Sequence, residues 1–244
     1  MHRLAKPHVL FHMLLSFLFM LLTVCCLLLG DWLRSYTGRN IYTFLRWDIF
    51  LAWTPLFIAW LGIGVCKTNF IKWRLLRISL VLVLSVTWLA FYPNAAYLVT
   101  DALHVYVHYK IDPSIRFSHE LEFWLHHFLF LLASLLGLAL GSYSLYLLHR
   151  QLNRRWNKLF NWIVVIGIIL LSSVGIFIGR FIRWNSWDIL DEPLTIVKDS
   201  YEIVMNEATA GLFTGFTLLM FFVQLFFYGV FYVIGQYGNR QGSH

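Results

Sequence analysis

Three residues of this 244-residue chain have the types and spacing of metal ligands: Asp101, His104 and His108. On a helix, offsets of three and seven keep one carboxylate and two imidazoles within about 60° of arc. Zinc accepts that donor set, and Glu122 or His126, themselves four apart, could add a ligand. A catalytic ion would leave one position for water. The same spacing arises whenever a helix at a water boundary turns its polar side outward, and it matches no fixed motif. A divalent metal is therefore a candidate cofactor and the solvated helix face the plainer reading. Two arginines, Arg180 and Arg183, form a second group within GIFIGRFIRWNSWD (175–188). Being three apart, they point the same way if the helix continues, and two guanidinium groups can fork onto a phosphate or carboxylate. The competing reading pairs them with Asp101, Asp188 or Asp191 and makes Trp184 and Trp187 interfacial anchors.

No phosphate-binding Gly-rich loop, nucleophile elbow or HExxH stands elsewhere in the chain. Cys25, Cys26 and Cys66 lack the spacing of a zinc or redox motif and read as small apolar side chains.

The elements that must position these groups are membrane helices. Hydrophobic residues make up 59% of the chain and charged residues 13%, where a soluble domain carries about 25% charged. A bilayer core of about 30 Å needs roughly 20 apolar residues per helix. Six runs meet that need: 9–30, 48–66, 75–92, 121–148, 159–179 and 209–236. The expectation is an all-α polytopic bundle forming a single integral membrane domain over 1–244. The first run is too long for a signal peptide and no small-x-small site follows it, so it reads as an uncleaved helix.

Eleven of the nineteen Lys and Arg fall on one side of this topology, and all twelve acids fall on the other. Short basic connections at 67–77 and 150–158 place the acid-free side, with both termini, in the cytoplasm. The net charge of +7 thus reports topology and gives no reason to expect nucleic acid.

Small residues recur every four positions: Ala133, Gly137 and Gly141, then Gly175 and Gly179, then Gly211 and Gly215. Such spacing lets helices approach closely, and internal packing is the expected use, a homodimer face the alternative. Two outer connections, 96–109 and 194–208, carry amphipathic patterns suited to helices at the outer face. Pro93-Asn94 signals a turn before the first, and Val197, Tyr201, Val204 and Ala208 form the apolar stripe of the second. Topology brings Asn94, Thr100, Asp101, His104 and His108 to the same membrane face as His119, Glu120, Glu122, His126 and His127. Arg180, Arg183, Asn185, Ser186 and Asp188 reach that face too.

Two stretches, FYPNAAYLVTDALHV (91–105) and GIFIGRFIRWNSWD (175–188), resemble signature segments of a bacterial membrane protein family, domain of unknown function 1361. The resemblance covers most of the chain from the second span to the sixth. It points to Asn94, Thr100, Asp101, His104, Arg180, Arg183, Asn185 and Asp188 and implies no reaction. The family pattern has Pro where this chain has Ala96, which implies a looser turn. It also has Trp-Tyr-Asp where Trp124-Leu125-His126 stands here, which removes a carboxylate.

Two functions fit. The favoured one is an accessory or binding protein of the bacterial cytoplasmic membrane whose outer polar cluster takes an anionic lipid, an envelope polymer or a protein partner, a second copy of the chain included. The other is a membrane-face hydrolase or transferase acting on a lipid-linked phosphate, with or without metal. Asp101 or His104 would be its base or ligand, and Arg180 and Arg183 its phosphate clamp. Span interiors nearly free of ionisable residues argue against an ion-coupled transporter.

Overall fold

The computed structural model describes residues 7–67, 73–109, 119–153, 156–184 and 188–240, and among these there is no strand. Helices α1 (Pro7–Thr37), α2 (Leu45–Lys67) and α3 (Arg74–Tyr97) lead through a 3₁₀ turn (Thr100–Leu103) to the single turn α4 (His104–His108). They are followed by α5 (Leu121–Leu152), α6 (Lys158–Phe177), a π-helical turn (Ile178–Ile182), α7 (Asp188–Asp191), α8 (Pro193–Met205) and α9 (Glu207–Arg240). Six stretches are long and apolar enough to cross a membrane: Leu10–Thr37, Leu45–Lys67, Arg74–His108, Leu121–Leu152, Lys158–Ile182 and Thr209–Gln236. Because consecutive spans alternate in direction, the described acids all collect at one end of the bundle.

Helix α5 is the centre. It is apolar around its whole circumference, as a helix surrounded by others must be, and buries Leu129, Phe130, Leu136, Leu140 and Tyr143 among α1, α2, α3 and α9. Lipid tails give helices no hydrophobic reason to associate, so close fit and polar contacts must do it. The closest fit is at Gly137, where a Cβ would run into the Ala95 carbonyl and come within 2.9 Å of Leu98 Cδ1. Polar contacts add to it. Trp88 Nε1 donates to Ser144 Oγ (2.7 Å), and Gln224 accepts from Ser172 and donates to Ser173, both at 2.9 Å. The expected packing role of the small residues thus holds at Gly137, Gly141 and Gly175. It does not hold at Gly211 and Gly215, which face open space.

The turn expected at Pro93-Asn94 is absent: α3 continues through Pro93 to Tyr97. Proline removes one i→i−4 hydrogen bond, a loss that membrane helices tolerate when a neighbour packs over the site. Here α6 is that neighbour, since a Cβ on Gly175 would lie 2.9 Å from Pro93 Cγ. The helix expected over 96–109 is accordingly the end of α3, the 3₁₀ turn and α4, in line with the span. Of the second amphipathic segment, 193–205 is helical as expected, yet Tyr201 of its apolar stripe is 61% exposed and Ile196 is buried; the side chains of Val197, Val204 and Ala208 lie outside the description. The stripe predicted from periodicity is rotated away from the bundle at Tyr201.

Candidate functional site

Helices α2 and α6 each pack against α3, and between them at the acid-bearing end lies a cavity of about 740 Å³. Its two halves differ in chemistry. Toward the bundle end it is lined by Asp48, Asn94, Tyr97, Asp101, His104, Arg180 and Arg183, with Phe44, Trp47 and Trp184 beside them. Deeper, its walls are Leu51, Val86, Leu89, Ala90, Leu171 and Val174. Val86 and Leu171 are exposed on the bundle's flank, so the apolar half opens sideways. The rise from Val86 to Asn94 is about 12 Å, which sets the depth of that half.

Arg180 is held from three directions. Its Nε and Nη2 donate to Thr100 Oγ1 at 2.9 and 2.6 Å, Nη2 pairs with Asp101 Oδ1, and the guanidinium lies 4.4 Å from the Tyr97 ring centroid. Thr100 can accept twice because its own hydroxyl proton goes to the Tyr97 carbonyl (2.7 Å). The Asp101 side chain is 1% exposed, and its Oδ2 has no hydrogen-bond partner among the described residues. A lone carboxylate so buried would be very unfavourable, which makes Arg180 its counter-ion.

The two arginines therefore do not act as a pair. The chain widens into the π turn at Ile178–Ile182, closed by Arg183 N–H donating to the Ile178 carbonyl (3.0 Å). Arg183 itself is left-handed (φ 69°), which ends the helix. A π turn spreads residues more widely around the axis than an α-helix does, and such turns recur at functional sites. Arg180 turns inward to Asp101, while Arg183 stays exposed at the cavity and its side chain makes no ion pair or hydrogen bond among the described residues.

Asp48 lines the cavity as well. It is half-buried, and its side chain has no hydrogen bond or ion pair among the described residues. Sequence reasoning counted it among the acids and did not single it out. The available signal was an ionisable residue inside an apolar span, three residues from its start.

The ligand set Asp101, His104 and His108 does not assemble, and no group of three or more His, Cys, Asp or Glu converges for a metal among the described residues. Asp101 and His108 share a helix face, but seven residues separate them by about 10 Å along its axis. His104 stays beside Asp101, with Nδ1 3.1 Å from its carbonyl oxygen and 3.9 Å from Oδ1, whereas His108 packs edge-on to Tyr42 at 5.1 Å.

Tyr42 anchors a polar lock next to the cavity. Glu122 pairs with Arg39 and lies 3.3 Å from His126 Nε2; His126 Nδ1 is 2.6 Å from the Tyr42 hydroxyl. A carboxylate only accepts, so Nε2 carries the His126 proton and Tyr42 donates to Nδ1. Burial raises the Tyr42 pKa, which keeps the hydroxyl a donor. Tyr42 is left-handed at φ 58°, a conformation costing about 1–2 kcal/mol that the lock and the packing on Phe130 (4.8 Å) offset. Glu122 thus supplies a carboxylate one turn before His126, the position where the resemblance had suggested one was missing. Nearby, the Tyr109 hydroxyl donates to Glu120 (2.6 Å), and that bond pushes its pKa up to about 12.

Of the residues singled out from sequence, Asn94, Asp101, His104, Arg180 and Arg183 meet at the cavity, and Thr100 braces it from behind. Asp188 lies in α7, away from the cavity lining, and Asn185 lies outside the described residues.

Six apolar spans around an apolar core, with charged groups gathered at one end, define a polytopic all-α membrane protein. The chain belongs to the family described as protein of unknown function (DUF1361), whose model matches residues 47–227. That match takes in α2 through most of α9 and every cavity-lining residue except Phe44. No curated protein and no solved structure matches the chain.

Proposed function

We propose that this protein binds a phosphate-bearing lipid in the cavity between α2, α3 and α6, as an accessory or carrier protein of a bacterial cytoplasmic membrane. The observation behind this reading is the division of one cavity into a charged half at the bundle end and an apolar half open to the flank. A headgroup needs the first and an acyl chain the second. Among the described residues of the lining, Arg183 is the cation left over for a phosphate, since Arg180 is committed to Asp101. The basic connections put the opposite end in the cytoplasm, so the cavity draws from the outer leaflet.

The test is lipid retention by the purified, delipidated protein after exchange with phospholipid, read by native mass spectrometry. Wild type retains about one lipid per chain; Arg183→Glu and the cavity-filling Val174→Trp lose it while remaining folded. Wild type that retains none, or variants that retain as much as wild type, would overturn the reading.

A second reading, a hydrolase or transferase on a lipid-linked phosphate, is favoured by one observation: Asp48 and His104 line the same cavity as Arg183. Either group is placed to act as a base toward a phosphate held there. Phosphate release from a polyprenyl phosphate, abolished by Asp48→Asn, is the result it requires.

A further inference from the structure

Resting on the lipid-binding reading, we infer that the headgroup recognised is zwitterionic, a phosphate carrying an ammonium group. The cavity holds four formally charged side chains, and two of them cancel: Arg180 and Asp101 form an internal pair. The two left without an ion pair among the described residues have opposite signs, the guanidinium of Arg183 and the carboxylate of Asp48. A headgroup with only negative charge would satisfy Arg183 and leave Asp48 dehydrated beside it. Loss of water from a half-buried carboxylate without a counter-charge is strongly unfavourable. An ammonium group removes that cost. The surroundings suit one as well, because Phe44, Trp47 and Trp184 line the same half, and aromatic faces beside a carboxylate attract ammonium groups.

The two groups would thus share the headgroup, Arg183 taking the phosphate and Asp48 the ammonium. Asp48 lies in the first turn of α2 immediately after Trp47, and Arg183 closes the π turn that follows α6 immediately before Trp184, so each charge comes with an indole at the bundle end. The lining therefore distinguishes headgroups by charge pattern, while the apolar half accepts any acyl chain.

The experiment equilibrates delipidated protein with vesicles of equal parts phosphatidylethanolamine and phosphatidylglycerol of identical acyl chains. The ratio of the two lipids retained is then measured by mass spectrometry. Wild type retains phosphatidylethanolamine over phosphatidylglycerol by about tenfold, the scale of one charge-assisted contact. Asp48→Asn retains lipid without preference, and Asp48→Glu, which keeps the charge, restores the preference. Lipid retained by wild type at the vesicle ratio, or a preference surviving in Asp48→Asn, would overturn this inference and leave lipid binding standing. Retention of neither lipid would overturn both.

Discussion

Replacing Arg180 by leucine tests the central charge arrangement. In the native protein the Asp101 side chain is 1% exposed, Oδ1 pairs with Arg180, and Oδ2 has no hydrogen-bond partner among the described residues. Removing the guanidinium therefore leaves a buried carboxylate with no counter-charge. Breaking one side of a buried pair costs about 3–5 kcal/mol. Loss of the Arg180 contact with the Tyr97 ring adds about 0.5–2 kcal/mol. Thr100 contributes little, because its hydroxyl keeps its bond to the Tyr97 carbonyl. The double variant Arg180→Leu/Asp101→Leu removes both charges, and such replacements range from neutral to about 1–4 kcal/mol stabilising. The double variant should thus be more stable than Arg180→Leu alone. Reversible unfolding in mixed micelles of increasing sodium dodecyl sulfate content, followed by far-ultraviolet circular dichroism, measures all four corners of the cycle. Arg180→Leu within about 0.5 kcal/mol of wild type, or a double variant showing the sum of the two single losses, would refute the pairing.

Two further expectations follow from packing and protonation. Gly137→Ala places a methyl against the Ala95 carbonyl and Leu98 and should destabilise by about 1–3 kcal/mol or more; Gly211→Ala, which meets nothing within 4 Å, should be neutral or stabilise by up to about 1 kcal/mol. Equal thermal shifts for the two would show that α3 and α5 do not approach as closely as described. The Tyr109–Glu120 bond raises the tyrosine pKa to about 12, so its stabilisation is full below the unfolded value of about 10 and lost as pH climbs through 12. The melting-temperature gap between wild type and Tyr109→Phe should therefore close over that window, and a gap unchanged across it would remove Glu120 as the partner.

The membrane architecture was legible in the sequence because hydropathy belongs to each segment by itself. Any run of about 20 apolar residues must find a non-aqueous medium, whatever its neighbours do. Alternating spans then carried the acids to one end, so Asn94, Asp101, His104, Arg180 and Arg183 were brought to one region before any contact was known. Helix limits were less legible. Helix α1 runs on to Thr37, past the apolar stretch, and Arg34 and Arg46 both pair with Asp31 at that end.

What only the tertiary structure decided is which side chains face one another, since that depends on each helix's rotation and depth, and packing sets both. The metal triad does not gather among the described residues because Asp101 turned to an arginine 79 positions away in sequence and His108 to the ring of Tyr42. Arg180 and Arg183 separated because a π turn, with no obvious sequence mark, holds the first and is closed by the second. Pro93 read as a turn because the sequence does not show that Gly175 of another helix lies over it. Asp48 passed as one acid among twelve until α2, α3 and α6 enclosed it with Arg183 around one cavity. Composition and periodicity determine the medium each segment occupies; the meeting of charges across helices is settled by close packing between segments distant in the chain.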